Sequence, residues 1–172
     1  MTAYKERSET AKNQKQAAPR RERLVSREDL KKVKANTLAQ IGHRFDANAK
    51  SGARLSLMVC GGGGCHSSGS GKLIARLAEL AARDAMQDEI AIERTGCFGL
   101  CSEGPILVVQ AEGVMYPKVS EDDMEEIWES HVKGGKIVER LLSPHEKDFF
   151  SKQNRIALKN CGRINPERIE EY

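Results

Sequence analysis

Aromatic residues are scarce in this 172-residue chain, and long apolar runs are absent. Aromatic residues make up 5% of the sequence, with one tryptophan, and hydrophobic residues make up 39%. No apolar stretch approaches the roughly 20 residues that a membrane-spanning helix needs. The polar, charged N-terminus also lacks the apolar core of a signal peptide. These absences predict a cytoplasmic protein without membrane insertion, built as one compact domain with appendages.

The positive charge is concentrated at the start of the chain. Residues 1–50 carry 13 Lys and Arg against 6 Asp and Glu, whereas residues 51–172 carry 15 against 19. The acidic balance of the larger part argues against nucleic-acid binding. Residues 1–24 contain almost no large apolar side chains and are predicted to form a disordered basic tail. Residues 25–52 are predicted to form an N-terminal helix, capped by Ser26, and a linker.

Hydrophobic periodicity predicts an α/β domain after this linker. The predicted elements are a strand at 54–59, a helix at 72–86, a strand at 90–95, a hairpin of strands 106–109 and 114–116, and a helix from 120 to 134. Ser67 to Ser70 are expected to cap the first of these helices. A βαβ unit followed by a β-hairpin and a C-terminal helix is the thioredoxin-like arrangement, here with an extra N-terminal helix.

Two close pairs of cysteines follow the two predicted parallel strands. The first pair is Cys60 and Cys65, with four residues between them, and the second is Cys97 and Cys101, with three between them. Parallel strands end at the same edge of a sheet, so the four thiols are expected to converge. Four thiolates can bind a 2Fe–2S cluster or a tetrahedral zinc ion.

Glycines are expected to let the backbone approach a bound group closely. Gly61, Gly62, Gly63 and Gly64 fill the first pair, and Gly99 lies within the second. Without a Cβ atom, these residues allow backbone N–H groups to reach the sulfur atoms of a cluster. We interpret the five glycines as cofactor-binding positions, and the four cysteines as metal ligands.

Several other chemistries are disfavoured by the spacing. Plant-type ferredoxins need a third cysteine where this chain has Ser68, and Rieske centres need a second histidine near His66. Thioredoxin-type dithiols use Cys-x-x-Cys, which neither pair has. Cys161 stands apart in the sequence and is interpreted as a small hydrophobic residue. A zinc-stabilised four-cysteine module for protein interaction stays open as the alternative function.

Residues 53–142 resemble the thioredoxin-like 2Fe–2S ferredoxin family. The resemblance lies in Cys60-x4-Cys65, Cys97-Phe-Gly-Leu-Cys101, Gly104-Pro105 and the apolar strand that follows. This family includes the small iron–sulfur subunit of respiratory NADH dehydrogenase. It also includes N-terminal domains of NADH-oxidising flavin subunits in multi-subunit hydrogenases and formate dehydrogenases. The resemblance implies one-electron transfer through a 2Fe–2S cluster with the four cysteines as ligands.

Residues 143–172 are interpreted as a linker and the start of a truncated flavin-binding module. The stretch 155–172 is similar to the opening of that module in the flavin subunits. FMN and NAD(P)H are then expected only in the downstream module, so this chain is not expected to be catalytic on NADH alone. The implied partners are a flavin-binding module or subunit and other iron–sulfur subunits, with a homodimer as a further arrangement. Phe98 or Leu100 is expected to be partly exposed in such a contact.

Overall fold

The computed structural model describes residues 23–46, 48–49, 52–110, 112–142, 152 and 154–172. Residues 1–22 of the predicted tail, and nearly all of the predicted linker that starts at residue 143, lie outside these ranges. The chain divides into two units, Met1–Lys32 and Val33–Tyr172. No helix in the described ranges is long and apolar enough to cross a membrane.

The described part of the first unit contains the start of helix α1 (Arg27–Ile41). The Ser26 hydroxyl accepts a hydrogen bond from the Asp29 backbone N–H at 3.1 Å, and the Asp29 carboxylate accepts one from the Ser26 N–H at 3.0 Å. These reciprocal bonds satisfy two donors at the helix start and confirm the predicted cap.

The second unit is built on a four-stranded sheet in the order β2-β1-β3-β4. The strands are β1 (Leu55–Cys60), β2 (Ile90–Thr95), β3 (Leu107–Gln110) and β4 (Val114–Tyr116). β1 pairs with β2 in parallel and with β3 antiparallel, and β3 pairs with β4 antiparallel. The predicted βαβ unit and hairpin are therefore confirmed.

The helices of this unit differ from the prediction in several respects. A short helix α2 (Gly63–Ser67) precedes α3 (Ser70–Arg83). The N-cap of α3 lies in the predicted stretch from Ser67 to Ser70, at Gly69, which has a φ of +95° and makes no side-chain capping hydrogen bond. The chain turns sharply between α2 and α3, and glycine adopts this left-handed conformation without strain. The last helix, α4 (Asp123–Glu126), continues as a π-helix at Ile127–Lys133.

One face of the sheet holds the main hydrophobic core. Alternate residues of β1, namely Leu55, Leu57 and Val59, pack with the inner faces of α3 and α4. Met124, Ile127, Trp128 and Val132 are buried there, as the helical spacing predicts. The aliphatic stripe of α1 is different, because Leu30 and Leu38 are exposed and Ile41 is buried.

The opposite face of the sheet is also covered, which the sequence pattern did not indicate. Met58 and Cys60 of β1 point to this face and pack with Phe98, Ile106 and Val108. Part of the cover comes from a single 3₁₀ turn, Gly42–Arg44, and part from the segment of residues 154–172, called the C-terminal segment below. β1 is buried along its whole length because both of its faces are packed.

Buried polar contacts fasten the C-terminal segment to this face. The Arg44 guanidinium lies 3.0 Å from the Glu171 carboxylate and donates to the Ser56 hydroxyl at 3.0 Å. The side chain of Gln110 donates to the carbonyl of Gly162 at 2.8 Å. These contacts pair the buried charge of Arg44 and lower the cost of burying these polar groups. In the described part of the chain, the Oε1 atom of Glu171 is nevertheless buried without a hydrogen-bond partner.

Candidate metal centre

The two cysteine pairs lie at the same edge of the sheet. Cys60 is the last residue of β1 and stands opposite Thr95, the last residue of the parallel strand β2. Cys65 follows in α2, and Cys97 and Cys101 flank the loop after β2. In the text below, residues 96–100 are called the second cysteine loop. The parallel pairing is what places both pairs at one end of the fold.

The first pair is buried and held by the strand that follows the second pair. The Cys60 backbone N–H donates to the Ile106 carbonyl at 3.0 Å. Burial raises the pKa of the Cys65 thiol to about 12, with a further contribution from the neighbouring Cys60 side chain. The Ile106 backbone N–H donates to the Cys65 sulfur and partly offsets this rise in pKa. Binding of a metal at Cys65 must therefore displace its proton.

The second pair is exposed in the isolated chain. Both Cys97 and Cys101 are solvent-accessible. The Gly99 backbone N–H lies 3.4 Å from the Cys97 sulfur, and Gly99 has a φ of +75° that glycine readily adopts. An N–H donor aimed at a sulfur stabilises the negative charge of a thiolate. A thiol pair that is open on one side is accessible for electron transfer to a partner.

Two glycines between the cysteines of the first pair lie very close to the cysteines of the second pair. A Cβ atom at Gly62 would lie 2.9 Å from the Cys97 sulfur, and one at Gly64 would lie 3.5 Å from the Cys101 sulfur. These contacts show that the loop of the first pair packs directly against the cysteines of the second. At Gly62 any larger side chain would collide with a candidate ligand.

The other predicted glycines have different surroundings. A Cβ atom at Gly61 would collide with the side chain of Arg94, whose guanidinium also donates to the Gly61 carbonyl at 3.0 Å. Gly63 has open space around its Cβ position and begins α2. A Cβ atom at Gly99 would meet Leu158 at 3.1 Å. The assignment of all five glycines to cofactor binding stays a prediction.

Two positions that sequence reasoning missed also border the thiols. A Cβ atom at Gly104 would lie 2.7 Å from the Cys65 sulfur, so this glycine is as restricted as Gly62. Ile106 contacts both cysteines of the first pair through its backbone. The sequence signal was the Gly104-Pro105 dipeptide, which predicts a turn but does not show which residue the turn approaches.

Three further residues in or beside the second cysteine loop are at least partly buried. Leu100 is half-buried, as expected, whereas Phe98 is buried beneath residues of the C-terminal segment. Cys161 is half-buried beside the second cysteine loop, with its sulfur 3.2 Å from the Cβ position of Gly96. Burial raises the pKa of the Cys161 thiol, and the nearby Cys97 and Cys60 add to the rise.

The four candidate ligands form two pairs and do not form one compact cage. Within the described ranges, no three His, Cys, Asp or Glu side chains are grouped closely enough to hold a single metal ion. A 2Fe–2S cluster contains two irons that four cysteines share, so two neighbouring pairs of thiols fit its donor requirement. The close approach of Gly62, the N–H donors to sulfur and the four thiols all fit such a group.

Comparison with known proteins gives a match over most of the chain. The family model described as thioredoxin-like [2Fe-2S] ferredoxin matches residues 22–131. A 2Fe-2S ferredoxin from Clostridium pasteurianum is 48% identical over 80 residues, which are 46% of this chain and 78% of that protein. The crystal structure of the thioredoxin-like [2Fe-2S] ferredoxin from Aquifex aeolicus is 33% identical, with a TM-score of 0.46 over 51% of this chain and 93% of that chain.

A chain from a hydrogenase structure is also among the similar structures. The crystal structure of an NAD+-reducing [NiFe]-hydrogenase in the air-oxidised state is 14% identical, with a TM-score of 0.46 over 69% of this chain and 23% of that chain. The family match is the decisive finding. The chain belongs to the thioredoxin-like [2Fe-2S] ferredoxin family. This membership assigns it the thioredoxin-like fold, a 2Fe–2S cluster and a role in electron transfer.

Proposed function

We propose that this chain is a one-electron relay whose 2Fe–2S cluster is held by Cys60, Cys65, Cys97 and Cys101. The observation that carries the proposal is the packing of residues 61–64, the glycines between Cys60 and Cys65, against the second cysteine pair. When bound, the cluster accepts and releases one electron at a time. The chain's own residues supply the thiolates, and the N–H groups of Gly99 and Ile106 point at two of the sulfurs.

The protonation state of the thiols makes loading of the cluster depend on pH. The raised pKa of Cys65 means that its thiol is protonated at neutral pH in the unloaded chain. Loading must therefore release a proton, and higher pH favours it. The buried first pair excludes water from one side of the site, while the exposed second pair lies toward the surface.

Alanine substitutions of the cysteines test the ligand assignment. Cys60→Ala and Cys97→Ala should each abolish or greatly reduce the visible absorption of the anaerobically reconstituted protein, because each removes one thiolate. Cys161→Ala is the matched control and should leave the spectrum in place. Retention of the wild-type spectrum in either ligand variant, with unchanged iron content, would refute the four-cysteine assignment.

We also propose that the relay works next to a flavin module that oxidises NADH. Two observations support this: residues 155–172 resemble the start of such a module, and the C-terminal segment lies against the second cysteine loop. A flavin module continuing from this segment would lie close to the cluster. The other iron–sulfur subunits of such a complex, or a second copy of the chain, would be reached from the exposed second pair.

Assays with NADH test this assembly. The 172-residue chain should take electrons from dithionite but show no NADH-dependent dye reduction, since hydride transfer needs a two-electron acceptor such as a flavin. Addition of a flavin subunit that carries FMN should create the activity and reduce the cluster. Stoichiometric FMN in the isolated chain, or NADH oxidation by it, would contradict the proposal.

A further inference from the structure

The C-terminal segment packs against three residues of the second cysteine loop, Gly96, Phe98 and Gly99. Leu158 packs against Gly99, where a Cβ atom would lie 3.1 Å from its Cδ1 atom. Cys161 packs against Gly96, with 3.2 Å between its sulfur and the Cβ position. These contacts lie on both sides of Cys97. The backbone of a residue between two fixed neighbours has little freedom to move, although its exposed side chain can still rotate.

Gly162 and Phe98 form the closest of these contacts. A Cβ atom at Gly162 would lie 2.8 Å from two carbons of the Phe98 ring, and the φ of Gly162 is +85°. The Arg155 guanidinium lies 5.9 Å from the centre of the same ring. Both the space and the backbone conformation thus require glycine at position 162. Phe98 directly follows Cys97, so its burial fixes the loop beside that thiol.

Thr95 joins the C-terminal segment to the end of β2. Its hydroxyl accepts a hydrogen bond from the Gly162 N–H at 2.7 Å and donates one to the Ile164 carbonyl at 2.9 Å. Thr95 is 1% exposed, so water does not compete for either bond. A hydroxyl that is both donor and acceptor satisfies two backbone groups of the segment at once. The hydroxyl lies two residues before Cys97.

We propose that Thr95 and Gly162 are positioning residues for the cluster, because they lock the C-terminal segment onto the second cysteine loop and hold Cys97 in place. This proposal rests on the proposed ligand role of Cys97. Residues that orient metal ligands tune both the affinity and the electronic properties of a site. The segment supports the backbone on either side of Cys97, whose side chain stays exposed.

The test compares cluster release from variants of the full chain after anaerobic reconstitution. Thr95→Val removes both hydrogen bonds with little change in shape, and release of the cluster to a chelator should become about tenfold faster. Thr95→Ser keeps the hydroxyl and should restore the rate to within about twofold of wild type. The reduced cluster of Thr95→Val should also give a broader EPR signal, because Cys97 then samples more than one geometry.

A glycine pair provides the matched control for backbone strain. Gly162→Ala should accelerate release at least as much as Thr95→Val. Gly113→Ala introduces alanine at a similar φ of +72°, but with nothing within 4 Å of the new Cβ atom, and should release the cluster at the wild-type rate. If either core variant fails to fold, Leu158→Ala is compared with Ile156→Ala. Both side chains are exposed, at 38% and 79%, and Leu158 is the one whose Cδ1 atom packs against Gly99.

The outcomes separate this inference from the proposed function. A wild-type chain that binds no cluster through Cys97 would refute the proposed function itself. A wild-type chain that binds the cluster, while Thr95→Val and Gly162→Ala match Gly113→Ala in release rate and EPR line shape, would overturn the positioning role alone. Equal release rates for Leu158→Ala and Ile156→Ala would overturn it in the same way.

Discussion

Substitution of Gly62 by alanine adds one methyl group and tests how closely the backbone at Gly62 approaches Cys97. Gly62 has φ of −61° and ψ of 152°, a backbone conformation that alanine adopts without strain. The added Cβ atom would nevertheless lie 2.9 Å from the sulfur and 3.0 Å from the Cβ atom of Cys97. Gly63, the next residue, has no atom within 4 Å of its Cβ position. Gly63→Ala is therefore the matched steric control, and a wild-type release rate from it would also mean that the predicted cofactor-binding role of Gly63 is wrong.

The size of the effect follows from whether Cys97 is free to move. In the unloaded chain Cys97 is exposed and its side chain can rotate away, so Gly62→Ala should cost less than about 1 kcal/mol of unfolding free energy. In the loaded protein the ligand is fixed, and overpacking of a rigid site costs about 1–3 kcal/mol. The cluster should then be held roughly 5- to 150-fold more weakly, since each 1.4 kcal/mol is about tenfold.

Two measurements check this prediction. Loss of visible absorption in the presence of an iron chelator gives the cluster release rate, and urea unfolding of the unloaded protein gives its stability. Gly62→Ala should release the cluster much faster than Gly63→Ala, while the two unloaded proteins have similar stability. Equal release rates from the two variants would show that the backbone at Gly62 does not approach a ligated Cys97.

Three further predictions concern the charges of the fold. Arg155→Gln removes a positive charge beside the second cysteine loop and should lower the reduction potential by up to about 40 mV, as redox titration followed by EPR would show; an unchanged or higher potential contradicts this. Glu171→Ala leaves the Arg44 guanidinium buried without its closest carboxylate and should cost about 3 kcal/mol of unfolding free energy in urea; a loss below about 1 kcal/mol would mean that the pair is not buried in solution. A hydrogen bond from Arg83 holds the pKa of Asp84 well below its ordinary value of 3.8, so its stabilisation is complete above pH 4 and is lost as the pH falls further. Thermal unfolding should then show a lower melting temperature for Asp84→Asn than for wild type at neutral pH, and this difference should become smaller in acid. A difference that does not change with pH would argue against the pairing of Asp84 with Arg83.

The elements with regular hydrophobic patterns were predictable from the sequence. Strand Ile90–Thr95 has the bounds that its apolar run predicts, and the hairpin turns at Gly113, whose φ is +72°. The inner face of α4 also follows from its spacing, and Trp128 is fully buried there. In these cases a local pattern and the tertiary structure require the same side chains to be buried.

The parts that were not predictable depend on contacts between distant residues. Helix α2 begins at Gly63 although glycine disfavours helices, because its position is set by the site around it. The bond between Thr95 and Gly162 joins residues 67 positions apart, and neither residue belongs to a repeating pattern. Cys161 likewise reaches the second cysteine loop only through the fold. Sequence spacing identified the four candidate ligands but not the segment that packs against the second cysteine loop.

The most direct test of the central claim is a count of metals and sulfide in the anaerobically reconstituted chain, combined with EPR. The proposed relay predicts two irons and two acid-labile sulfides per chain, visible absorption, and one unpaired electron per chain after reduction by dithionite. A colourless protein with one zinc ion per chain and no EPR signal would contradict it and establish the zinc-stabilised module instead.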